Sequence, residues 1–297
     1  MSVTMKSIIF LALTFAISWT IVLGGWALGA AHEPRWAFMV AVGSMFGPSV
    51  AAVVCAIAFE KGRRRDALGL RFGVNLWWLW AWVIALTVTF GASLVTVLAG
   101  KAEFVDISTN YLNQARAAAP EQAAAIDQAA AVPGLSWILV AQAALLGGAL
   151  NTIALTLSEE LGWRGYLYGL WRRFGFTKYT LATGAIWGVW HAPLIFFFGL
   201  NYPDHGLVGI PLFILFCTLY AFPHTLVRDR GKSVIAAAVL HGTGNALGGV
   251  AMLGLSSVDF PWAGVVGIGG FVALAVVALA SWALGRRDTL APAPASA

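Results

Sequence analysis

Charge is scarce in this chain: Asp, Glu, Lys and Arg make up 10% of its 297 residues, against 60% hydrophobic residues and a mean hydropathy of +0.80. Soluble domains carry about a quarter charged residues, so the shortage excludes an ordinary water-soluble globule. Cysteine is nearly missing too. Cys55 and Cys217 both fall in apolar runs, which argues against a disulfide framework or a thiolate metal site and for two small buried hydrophobes. No His-Glu-x-x-His occurs, so the helical zinc-peptidase signature is absent. Polar stretches are few, with only Lys101 to about Pro133 interrupting the apolar pattern at length.

What is present instead is hydrocarbon-spanning sequence. A bilayer core of about 30 Å needs roughly 20 apolar residues per helix, and such runs occur near 7-29, 36-59, 75-99, 136-158, 180-200, 207-226, 234-254 and 262-284. The expected fold is all-α, a polytopic membrane protein of about eight transmembrane helices. Because linkers are short and no internal repeat is evident, residues 1-287 read as one integral membrane domain.

The net charge of +5 comes from basic residues gathered on one side. With the N-terminus inside, 15 of the 18 Lys and Arg fall in inner segments, and only Arg35, Lys101 and Arg116 fall outside. That bias is what the positive-inside rule expects of both termini in the cytoplasm, so no nucleic-acid partner is needed to explain it. A bacterial inner membrane fits this pattern. Lys6 ahead of an apolar run resembles a signal peptide, but the run is long for one, and an uncleaved first span is the expectation. In the 101-133 loop, Ala117 to Ala131 reads as a short exposed helix of a connector or partial lid. The small, Pro-containing segment 288-297 reads as a disordered cytoplasmic tail.

Ionisable groups inside spans need a partner or a task, since each costs at least a few kcal/mol in hydrocarbon. Glu159, Glu160 and Arg164 lie at the end of the fourth run, His191 in the fifth, and His241 with Asn245 in the seventh. Counted back from the nearest inner basic residue, Glu160 lies 12 positions from Arg172 and His191 lies 13 from Lys178. His241 and Asn245 lie 9 and 13 from Lys232. At 1.5 Å per residue these are depths of roughly 14 to 20 Å, one common layer. Glu160 and Arg164, at i and i+4, are spaced to pair, whereas Glu159 is rotated by about 100° and is free to act as a general base. His241 and Asn245 share a helix face and suit donation to an oxyanion. Singly, each of these residues also suits a structural hydrogen bond. His32 and His205 fall in outer loops, and His224, after Pro223 at the inner end of the sixth run, suits an interfacial or capping role. The 14 tryptophans suit interface anchoring.

Three motifs in order, Glu159-Glu160-x-x-x-Arg164, Trp187-x-x-x-His191 and His241-x-x-x-Asn245, resemble the CAAX prenyl protease and bacteriocin-processing family of intramembrane proteases, often called the Abi family. The resemblance covers about 136-250, the expected catalytic core. It implies helices enclosing an intramembrane cavity open to the cytosol, with Glu159 and His191 activating a water for peptide hydrolysis. It also implies that His241 and Asn245 stabilise the oxyanion while Glu160, Arg164 and Trp187 support them. Trp187 stands where Phe is commoner in the family. Metal-free activation is placed ahead of a zinc site made by Glu159, His191 and His241. The implied substrate is a membrane-associated or prenylated peptide or protein entering from the cytosolic side. The alternatives are a non-catalytic scaffold or immunity protein, or a proton-coupled transporter whose Glu and His form a relay.

Overall fold

A computed structural model describes residues 1–290 as an integral membrane protein built of helices, eight of them long and apolar enough to span a bilayer. Helix α1 (Val3–Ala27) is capped by the Ser2 hydroxyl, which accepts from the Met5 N–H. The second span, Pro34–Phe59, consists of α2 (Pro34–Met45) and α3 (Gly47–Phe59), interrupted just before Pro48. Helix α4 (Leu76–Leu98) starts on Asn75, whose side chain accepts from the Trp77 N–H. The loop that follows carries α5 (Ile107–Ala118) and α6 (Ala123–Ala130). The single helix expected over Ala117 to Ala131 is broken because Pro120 opens a tight turn between the two. Asp106 caps α5, and hydrogen bonds from the Ser108 hydroxyl, then Ser136 and Thr109, hold its carboxyl below the usual aspartate range.

The fourth span is the longest. Helix α7 (Leu135–Phe174) runs 16 residues beyond the apolar run, carrying the acidic pair into the body of the helix. It widens into π-helical turns at Ala143–Gly147 and Thr156–Leu167. Helix α8 (Phe176–Trp190) ends at His191, and α9 (Ala192–Phe198) completes that span beyond a break that Pro193 enforces by offering no N–H. Helices α10 (Gly206–Gly231), α11 (Val234–Leu253, capped by Ser233) and α12 (Ile268–Leu290) follow. The last enters the segment expected to be a tail, of which residues 291–297 lie outside those described.

The spans pack chiefly as α8 on α10, α7 on α11, α11 and α12 on α4, and α3 on the wide segment of α7. The core gathers where they meet, around Phe10, Trp163, Tyr166, Leu167, Trp187, Ile195, Cys217 and Leu240. Leu, Val, Phe and Trp side chains on the outer faces of α2, α4 and α7 stay exposed, as lipid-facing surface requires. Arg63, Arg71, Arg172, Arg228, Arg230 and Lys232 gather at one end of the bundle, its basic face.

Candidate active site

The acidic pair sits in the wide turns of α7. In an α-helix neighbouring residues diverge by about 100°, but turns of i→i+5 type hold an extra residue and narrow that angle, so both acids can face inward. Glu159 is 1% and Glu160 0% exposed. Glu160 Oε1 accepts from Arg164 Nη1 at 2.9 Å and from His241 Nδ1 at 2.9 Å, tying α7 to α11. Glu159 takes a different partner, with its Oε2 accepting the indole N–H of Trp187 at 2.8 Å.

Trp187 is the hub of the cluster. Beyond that hydrogen bond, the rings of His241, His224 and His191 lie 5.2, 5.6 and 6.0 Å from its ring, and the Arg164 guanidinium covers it at 4.3 Å. The family resemblance implies a supporting role for Trp187 beside Glu160 and Arg164. The structure sets it against Glu159, Arg164, His191, His224 and His241.

Each histidine has its Nδ1 committed. His191 Nδ1 lies 2.9 Å from the Trp187 carbonyl and His224 Nδ1 lies 2.7 Å from the Tyr220 carbonyl. A carbonyl can only accept, so in both rings Nδ1 carries the proton and Nε2 presents a lone pair. His241 Nδ1 is likewise given to Glu160, leaving its Nε2 for other partners. Close backbone approach sets these rings in place. A Cβ on Gly188 would fall 2.5 Å from the Ile214 Cα of α10, and one on Gly242 would fall 2.4 Å from the Thr152 nitrogen of α7. Bare glycines therefore bring α8 and α11 near enough to deliver His191 and His241.

His224 was assigned to the interface by sequence, and it lies in the layer instead. Helix α10 continues to Gly231, five residues past the apolar run, so His224 is two turns inside and fully buried. The signal available was the i, i+4 row Tyr220-x-x-x-His224-x-x-x-Arg228. Asn245 departs in the other direction. It is exposed and lines a cleft of about 700 Å³ on the opposite face with Asn110, Tyr111 and Val258, one turn beyond His241. A larger cavity, about 780 Å³, opens on the basic face between Tyr166, Tyr168, Tyr179 and Arg228. Neither opening is lined by Glu159, Glu160, His191, His224 or His241. The polar layer lies between these two openings, with Asn245 on the rim of one and Tyr166 and Arg228 at the wall of the other.

For a bound metal the sequence offers Glu159, His191 and His241, and the structure groups a different set. Among the described residues Glu160, His224 and His241 have ligand atoms within 4.8 Å of one another. Glu160 Oε2 and His224 Nε2 are buried without a hydrogen-bond partner, which fits a divalent cation drawn to imidazole and carboxylate.

Comparison with known proteins agrees with this core. Residues 138–247 match the family described as Type II CAAX prenyl endopeptidase Rce1-like. A protein described as CAAX prenyl protease 2, from Methanococcus maripaludis, is 49% identical in a 98-position alignment that covers 28% of this chain and 32% of that protein. The chain thus covers about a third of the curated relative's length.

Proposed function

We propose, from the premise that this chain belongs through residues 138–247 to the Rce1-like type II CAAX prenyl endopeptidase family, that it is an intramembrane endopeptidase. Its substrate class is a membrane-associated or prenylated protein or peptide. The observation that carries this reading is the buried layer in which one indole joins the first carboxylate of the pair to the histidines of three other helices.

Glu159 is the general base. Trp187 holds one of its oxygens and so aims the carboxylate, leaving the other to take a proton from water. His191, whose Nε2 lone pair is directed away from the Trp187 carbonyl, accepts a hydrogen bond from the same water, and the proton that Glu159 takes from it passes to the leaving amine. His241 faces the same layer from α11, and when its Nε2 carries a proton it donates to the oxyanion. Asn245 as a second donor rests on its motif spacing to His241. Glu160 and Arg164 keep α7 and α11 in register. Where a divalent ion is bound, Glu160, His224 and His241 would hold it and it would polarise the scissile carbonyl.

The basic face is assigned to the cytoplasm of a bacterium, with both termini there and substrate arriving from that side. The test compares membrane peptides of a wild-type strain with those of strains carrying Glu159→Ala or His191→Ala. A processed product present only in wild type is the expected result. Processing of an identified substrate that survives both substitutions would sink the assignment. A pH-gradient-driven flux lost in the same variants would point to transport instead.

A further inference from the structure

The cavity on the basic face has no part in the chemistry above, and cations outnumber acids in its lining. Six cations, Arg63, Arg71, Arg172, Arg228, Arg230 and Lys232, face three acids in about 780 Å³. Two of the acids are already engaged by cations. Glu60 pairs with Lys6 and Arg63, and Asp66 pairs with Arg71. The third, Asp229, accepts from the hydroxyls of Tyr168 and Tyr179. Among the described residues, Arg172, Arg228 and Lys232 meet no carboxylate within ion-pair distance.

Arg228 is the anchor of this bowl. It is only 8% exposed, its guanidinium stacks on the Tyr168 ring at 4.3 Å, and its Nε donates to the Arg164 carbonyl at 2.7 Å. That bond fixes the guanidinium plane. Its Nη1 and Nη2 have no protein acceptor among the described residues, and one of them lies where a Cβ on Gly69 would intrude at 2.6 Å. A rigid, buried fork of donors at the wall of a cation-rich cavity is suited to a tetrahedral oxyanion, which takes paired N–H groups and several point charges at once.

We propose that this bowl binds a phosphate group, and that the source favoured by its place at the interface is the headgroup of an anionic phospholipid. The volume admits a headgroup. Through the Arg228 to Arg164 bond an occupant would also brace the wide turns of α7 that carry Glu159 and Glu160. The proposal stands independently of the protease reading.

The test uses the full-length protein in nanodiscs of phosphatidylcholine alone or with phosphatidylglycerol, following thermal unfolding, with inorganic phosphate as a separate arm. The variants are Arg228→Gln and the exposed pair Arg172→Gln with Lys232→Gln, the pair serving where Arg228→Gln fails to fold. The expected result is a higher Tm with phosphatidylglycerol and apparent affinity weakened about tenfold or more in the variants, the loss of charge-assisted hydrogen bonds. A shift produced by phosphatidylglycerol but not inorganic phosphate assigns the bowl to lipid. One produced by both, and lost in the same variants, assigns it to the phosphate group whatever carries it. No shift from either ligand, or an equal shift in the wild type and the pair variant, overturns the proposal.

Discussion

Two adjacent glutamates with nearly the same burial differ in what depends on them. Glu160 neutralises Arg164, which is 3% exposed, and receives the Nδ1–H of His241, so its carboxylate joins two helices. Removing one partner of a buried pair leaves the other charge uncompensated, at a cost of about 3–5 kcal/mol. Glu160→Gln is therefore expected to lower thermal stability in detergent by that order, and turnover with it. Glu159 forms no ion pair and accepts only from the Trp187 indole, so Glu159→Ala is expected to cost less stability than Glu160→Gln while losing cleavage. A matched loss of stability in both variants would show that the two acids are not divided in this way. Trp187→Phe separates aim from packing at the hub, because it keeps an aromatic ring and deletes the N–H. A hydrogen bond to a charged acceptor contributes about 1.5–3 kcal/mol. Turnover should fall by roughly ten- to a hundredfold in kcat, with little change in stability; an unchanged kcat would mean Glu159 is aimed by something else.

Among the elements, the spacing of helices around the layer is set by glycine. Gly242 packs directly on the backbone of Asn151 and Thr152, where a methyl group would sit 2.4 to 2.9 Å from main-chain atoms that cannot move singly. Gly242→Ala is expected to part α11 from α7, costing about 1–3 kcal/mol and displacing His241 from Glu160. Gly248→Ala is the control, since nothing lies within 4 Å of its added carbon. Equal melting temperatures for the two variants would show that the α7 to α11 contact is loose. The elements also show where sequence reading reached its limit. Apolar runs located eight spans because hydrocarbon imposes a length, and the motifs carried Glu159, His191 and His241 into one layer by depth alone. Helix continuation through polar residues has no such signature. Thus the continuation of α10 past Leu226, which buries His224, and the wide turns of α7, which bring both acids inward, have no mark in the sequence. The i, i+4 rule set Asn245 beside His241 but could not say which neighbour covers the next turn, and on α11 that turn opens into the opposite cleft.

For the whole molecule, the distribution of charge orients the bundle. The loop around Arg63 to Arg71, the end of α7 near Arg172 and the α10 to α11 connection gather at one basic cavity, although they are far apart in sequence. The segment with α5 and α6 lies on the other face, tied there by Asn110 to the carbonyls of Leu253 at the end of α11 and Leu255 just after it. If the basic face is cytoplasmic, Gln122 lies outside the cell membrane and Arg64 inside it. Both native cysteines are 0% exposed, so a thiol reagent that cannot cross membranes meets no background in the folded protein. Gln122→Cys is expected to react with an impermeant maleimide in intact spheroplasts, and Arg64→Cys only after permeabilisation. The reverse pattern would turn the molecule over, placing the basic cavity on the outer leaflet and removing the cytosolic route by which substrate is proposed to reach Glu159.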